Sequence, residues 1–280
     1  MTSPWLAIIG TIFVWWFSTG AILWRVKSAD RAGDSFSAGS HMRDRAHLRS
    51  VLWGLPILGL GIWGFSTSLQ DETITGVYVG FLSALAIWGW IELSFLSGII
   101  TGPNHHKARD GVPGWERFIR AWGTVAYHEM LLATALGLML YAAWDAPNVY
   151  GLWTYIILFF ARISAKLNLF FGVPRIHVEF LPSPLAHLAS HFRRATLNWL
   201  FPVSITALTF AAACWLERIY ASETMVDVTG FILLATLTSL ALVEHWLMVL
   251  PVPDEKLWRW MIPAPKIADT KRRREDAHGL

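Results

Sequence analysis

Eight side chains capable of chemistry sit where a lipid-facing sequence would carry none. Glu92, His128, Glu129, Arg162, Lys166, Asn168, Glu244 and His245 each interrupt a long apolar run. An ionisable group in such a place is costly, so it pairs, binds a ligand or carries a proton. Arg162 and Lys166 are four residues apart, which puts them on one face of a helix. Three carboxylates, Glu92, Glu129 and Glu244, can oppose them. Two readings stay open. In the first, the eight form an ion-pair network that fixes helix packing, and removing one partner strands the other as an unpaired buried charge. In the second, they form a metal or pigment site, because Glu and His from several helices are the ligands of helical di-iron bundles. The spacing departs from that pattern. Those bundles use Glu-x-x-His, whereas His128-Glu129 and Glu244-His245 are adjacent, ~100° apart around a helix.

A second set lies in polar connections: His105, His106, His177, Glu179, His187 and His191. His187 and His191 have the i,i+4 spacing that chelates a metal from one α-helical face. Membrane desaturases and hydroxylases carry several histidine boxes. A single box of this spacing is present here, and solvated loop histidines are the simpler reading.

The elements that must position these residues follow from composition. Of 280 residues, 54% are apolar and 15% charged. A soluble domain carries about a quarter charged residues. Apolar windows cover roughly residues 4–26, 51–69, 74–100, 118–144, 149–173, 197–220 and 225–250, each near the ~20 residues that span a bilayer as helix. Open strands would leave backbone groups unpaired in lipid. The expected fold is therefore an all-α integral membrane protein with about seven transmembrane helices in residues 1–255. A basic tail follows at 256–280. Pro56 should kink the second span. The first span has no basic residue before it and reads as a retained anchor, not a cleaved signal. A soluble enzyme, a disordered chain and a nucleic-acid binder are excluded. The sole cysteine, Cys214, excludes an internal disulfide, a Cys-based zinc site and haem attachment through paired cysteines.

Charge orients the bundle. Apart from Arg162, Lys166 and Arg218, all 23 Lys and Arg fall in the first, third and fifth connections or in the C-terminal tail. Positive residues mark the cytoplasmic side. The expected topology puts the N-terminus in the periplasm and the C-terminus in the cytoplasm. The eight buried polar groups then sit at similar depth, ~8–17 Å below the cytoplasmic surface. The stretch Gly76-Val-Tyr-Val-Gly80 has the spacing of a helix-contact face.

Ordered strings along the chain carry a family resemblance. They are Gly89-Trp90-Ile91-Glu92-Leu93-Ser94-Phe95-Leu96-Ser97-Gly98, Thr101-Gly102-Pro103, Tyr127-His128-Glu129, Arg162-Ile163-Ser164-Ala165-Lys166-Leu167-Asn168, Glu179-Phe180-Leu181-Pro182, Phe201-Pro202-Val203-Ser204 and Glu244-His245-Trp246. Together they resemble the PuhE family, associated with photosynthetic complex assembly in purple phototrophic bacteria. The resemblance runs from Trp15-Trp16 to Trp258-Arg259-Trp260. It implies a multi-pass protein of the bacterial inner (intracytoplasmic) membrane. It also implies a role in assembling the reaction centre and core antenna, or in adjusting bacteriochlorophyll supply. The implied partners are the lipid bilayer, reaction-centre or light-harvesting subunits, and pigment-synthesis enzymes, with no nucleic acid. The chain departs from the family pattern at Ile91, His187 and His191, which weakens the loop histidines as a family-wide metal site. No catalytic residues transfer with the resemblance.

Three functions remain in contention. An assembly or pigment-handling factor could hold bacteriochlorophyll or a precursor transiently, with His128 or His245 as axial ligand to magnesium and Trp88, Trp90, Trp122 and Trp246 against the ring. A membrane metalloenzyme, with iron as the implied metal, could act on a porphyrin, quinone or carotenoid. A proton path through the charged layer ranks last, because the outer half of the bundle has no such residues.

Overall fold

A computed structural model of the chain describes residues 3–32, 39–109 and 111–252. The expected basic tail lies outside the described residues. Among the described residues the chain is helical, without named strands: α1 Pro4–Ala32, α2 Gly39–Ser68, α3 Ile74–Leu96, α4 Gly114–Gly123, α5 Ala126–Ala142, α6 Tyr150–Phe171, α7 Leu200–Ala221 and α8 Met225–Leu247. Two 3₁₀ segments, Val178–Phe180 and Ser183–His191, separate α6 from α7. Six of the helices are long and apolar enough to cross a membrane, and α4 with α5 makes a seventh crossing if that bent pair is one span. This is a multi-span all-α membrane bundle.

The centre is built by α3 and α8. Helix α3 packs on α1, α2, α5, α6 and α8, and α8 packs on α1, α3, α6 and α7. Threonine caps start both: Thr73 accepts from the Gly76 amide and Thr224 from the Asp227 amide. Each cap satisfies a donor that the first turn would leave open. Two apolar clusters fill the bundle. One joins Phe65, Ile87, Leu132, Leu152 and Tyr155. The other joins Val77, Phe81, Ile157, Leu233 and Leu237.

Three elements differ from the sequence expectation. Helices α1 and α2 contain 29 and 30 residues, so most of the expected loop 27–50 is helical. At ~1.5 Å per residue each exceeds the ~30 Å hydrocarbon core. Their overhanging ends are tied by His47, whose Nε2 donates to Asp30 at 3.1 Å from a site 1% exposed. Helix α2 contains Pro56 within its length.

The third difference is the largest. The expected fourth span is two helices that meet at 70°. The chain leaving α3 wedges into the break. The Thr101 carbonyl accepts from the His128 amide at 3.0 Å, and the Asn104 amide donates to the Gly123 carbonyl at 3.0 Å. The Asn104 side chain donates to the Arg120 carbonyl at 2.9 Å. The helix ends on both sides of the break are thus satisfied from outside, which makes the bend affordable in a low-dielectric setting. Gly102 is required there, because any Cβ would strike the Gly123 carbonyl. Helix α4 exposes Trp115, Ile119 and Trp122 and has no buried residue.

The glycine pattern in α3 serves internal packing. Gly80 meets Gly151 of α6 backbone to backbone, and a Cβ on Gly151 would fall 2.8 Å from the Gly80 carbonyl oxygen. Gly151→Ala is expected to destabilise the bundle by about 1–3 kcal/mol through overpacking. Gly137→Ala, where a Cβ meets nothing within 4 Å, should be neutral or stabilising through helix propensity. Thermal melting of both purified variants in one detergent checks the pair.

Candidate functional site

Helix α6 positions the site from both of its sides. Arg162 and Lys166 project from one face, Ser164 and Asn168 from another, because two residues turn an α-helix by ~200°. On the first face, Arg162 Nη2 donates to Glu92 Oε2 of α3 at 2.9 Å. Lys166 Nζ donates to Glu129 Oε1 of α5 at 2.5 Å. The Phe95 ring lies beside the second pair, with Lys166 Nζ 5.2 Å from its centroid. His128 stacks on Phe95, ring centroids 4.3 Å apart. The wedge at the α4–α5 break sets this geometry, since it places His128 and Glu129 in the first turn of α5.

On the second face, Ser164 Oγ meets His245 Nε2 at 2.9 Å. His245 Nδ1 lies 2.8 Å from the Ala241 carbonyl, which can only accept. Nδ1 therefore carries the proton, and Nε2 accepts from the serine. Asn168 donates to Ser204 Oγ of α7 at 2.9 Å and accepts from the Asn198 side chain at 3.0 Å. Asn198 in turn accepts from the Leu200 and Phe201 amides that open α7. Asn168 is thus a structural link between α6 and α7. Glu244 lies within the field of Arg162 without a close ion pair among the described residues, and accepts from the indole of Trp15 at 3.1 Å.

The structure therefore joins Glu92, His128, Glu129, Arg162 and Lys166 around Phe95, and assigns Asn168, Glu244 and His245 to other contacts. Neither imidazole lines the cavity beside this layer. His245 uses both of its nitrogens. His128 is fully buried behind Phe95, with both ring nitrogens unpartnered and Nε2 3.7 Å from Glu92 Oε1. Among the described residues no three His, Cys, Asp or Glu side chains gather where they could hold a metal ion.

A cavity of about 490 Å³ opens beside this layer. Glu129, Arg162, Lys166 and Glu244 line it, and Glu92, His128, Asn168 and His245 do not. Its walls include Trp15, Phe95, α4 and the segment 175–192. Arg117 ties α4 to two residues of the cavity wall, donating to the Phe170 and His191 carbonyls at 2.8 and 3.1 Å. The sequence reading missed Trp15, Phe95, Ser164, Asn198 and Ser204. Of the tryptophans expected near a ring, Trp122 lines the cavity. Trp88 packs on Tyr155, Trp246 on Phe201, and Trp90 donates to the Val51 carbonyl.

Among the described residues the loop histidines lie near one another without forming a group that could hold a metal ion. Residues 183–191 form a 3₁₀ helix. With three residues per turn, i and i+4 do not share a face, so His187 and His191 lack the α-helical chelating geometry. His191 Nε2 donates to the His106 carbonyl at 3.1 Å. His187 packs edge-on against His105, ring centroids 5.7 Å apart. His177 lines the cavity, and the Glu179 side chain lies outside the described residues.

Two outcomes are expected. Lys166→Met should destabilise the protein by about 1–3 kcal/mol, because it leaves the half-buried Glu129 unpaired. Lys166→Met with Glu129→Leu should recover most of that loss, as melting in detergent will show. Burial, followed by the charges of His105 and His191, holds His187 below the usual histidine range. The unfolded chain then binds the proton more readily, so this segment loses stability as pH falls through about 6.5. Proteolysis of the 183–191 segment should increase from pH 7.5 to 5.5 in the wild type and less so in His187→Gln.

Comparison with known proteins places the chain. It is 54% identical over 264 residues, 94% of this chain and 93% of the relative, to an "uncharacterized 30.4 kDa protein in puhA 5'region" of Rhodobacter capsulatus. No solved structure matches it. A family model described as a protein of unknown function, DUF3623, matches residues 1–269. The chain belongs to the DUF3623 family.

Proposed function

We propose that this protein assists assembly of the photosynthetic reaction centre and core antenna, or the supply of bacteriochlorophyll to them, from the bacterial inner (intracytoplasmic) membrane. The observation that carries this reading is the relative at 54% identity, whose name places it in the 5′ region of puhA, a photosynthesis gene context. The multi-span bundle agrees with it. The distribution of Lys and Arg supports an N-terminus in the periplasm and a basic C-terminal end in the cytoplasm.

The geometry favours a binding and docking role over redox catalysis. Glu92 and Glu129 are each committed to a cation, so they serve packing before they could serve a metal. The surface left for partners is the lipid-facing side of the bundle. The partners proposed for it are reaction-centre or light-harvesting subunits, or enzymes of pigment synthesis.

Deletion of the gene in its phototrophic host tests this. Near-infrared absorbance of the assembled core complex should fall several-fold per cell, and a plasmid copy should restore it. Unchanged absorbance and unchanged phototrophic growth in the deletion strain would reject the assembly reading.

A further inference from the structure

We propose that the 490 Å³ cavity binds a neutral, prenylated ring compound whose ring carbonyls accept hydrogen bonds from Arg162 and Lys166. The inference rests on the cavity and stands apart from the assembly role. The volume falls within the range of small-molecule sites. Trp15, Phe95, Phe118, Trp122, Phe170 and Phe180 line the walls. Aromatic walls favour a flat conjugated ring, which packs against them by offset or edge contacts. The cavity is not enclosed, so a hydrocarbon tail need not fit within it.

The polar groups select the head. Arg162 spends one nitrogen on Glu92, and Lys166 spends one N–H on Glu129. Guanidinium and ammonium have further donors, and among the described residues these have no protein acceptor. Both cations are partly accessible, with side chains 37% and 21% exposed. Each already has a carboxylate partner, and Glu244 adds a negative charge to the same cavity. Arg175 also lines the wall but has interactions of its own. An anionic head would meet Glu244 without an uncommitted cation to offset it, and a cationic head would meet Arg162 and Lys166. A neutral carbonyl oxygen uses the spare donors without a charge penalty. Donors lining a cavity give such a site its selectivity, since a ring without that oxygen leaves them unpaired.

Two membrane compounds share this chemistry, a prenylquinone and a tetrapyrrole carrying ring ketone and ester groups. The full-length protein, delipidated and placed in nanodiscs, is titrated with decylubiquinone and, separately, with bacteriochlorophyll a. The readouts are tryptophan emission and co-elution at a fixed ratio in gel filtration. One probe is expected to saturate at one per chain, and whichever does names the source. Ala165→Phe and Ala121→Phe each add bulk to the cavity wall, and either should weaken binding by roughly tenfold or more. Arg162→Lys keeps the charge opposite Glu92 and should weaken binding several-fold by losing the guanidinium's extra donors. If one filling variant does not elute as a folded species, the other variants decide. Failure of both probes to saturate, or equal uptake by the wild type and the folded cavity variants, would overturn the proposal. The deletion phenotype would be untouched by that result.

Discussion

The bundle depends on α6 carrying polar groups on two faces within a low-dielectric interior. Arg162 and Lys166 reach α3 and α5, while Ser164 and Asn168 reach α8 and the start of α7. In water such pairs contribute little. In lipid an unpaired member is costly, so each fixes which neighbour α6 accepts. One helix thereby sets the positions of four others. The apolar contacts are less selective, because lipid tails compete with them on nearly equal terms.

The second constraint is the break between α4 and α5. A continuous helix through residues 118–144 would carry Glu129 and His128 near mid-span. The wedge formed by Thr101, Gly102 and Asn104 instead supplies hydrogen bonds to both exposed helix ends. That move starts α5 at the polar layer and turns α4 aside to form a cavity wall. The cavity therefore exists because a glycine can pass against the Gly123 carbonyl where no other residue fits.

Structure and kinship bear on different questions. The relative from the puhA region points to a cellular context, while the geometry speaks to what the protein can hold. His128 behind Phe95 and His245 with both nitrogens engaged make axial ligation a poor use of this site. The spare donors of Arg162 and Lys166 make carbonyl recognition a better one.

Much was legible from residue order alone. Long apolar runs in a chain with few charges demand helices that satisfy their own backbone, so the all-α multi-span fold follows from solvation. The shared face of Arg162 and Lys166 follows from their i,i+4 spacing, and their need for carboxylate partners from charge in lipid. The choice of partner did not follow. Three carboxylates could oppose two cations, and only packing put Glu244 beside Trp15 and left it out of the pairs. The break at residues 123–126 was hidden because its cause lies some twenty residues earlier, in a loop whose hydrogen bonds are not local. The 3₁₀ form of residues 183–191 was hidden for a related reason: an i,i+4 pair is chelating only if the turn has 3.6 residues, and tertiary contacts decided that it does not. Local solvation set which segments are helices. Non-local hydrogen bonds decided where those helices stop, which faces they share, and hence that a cavity exists at all.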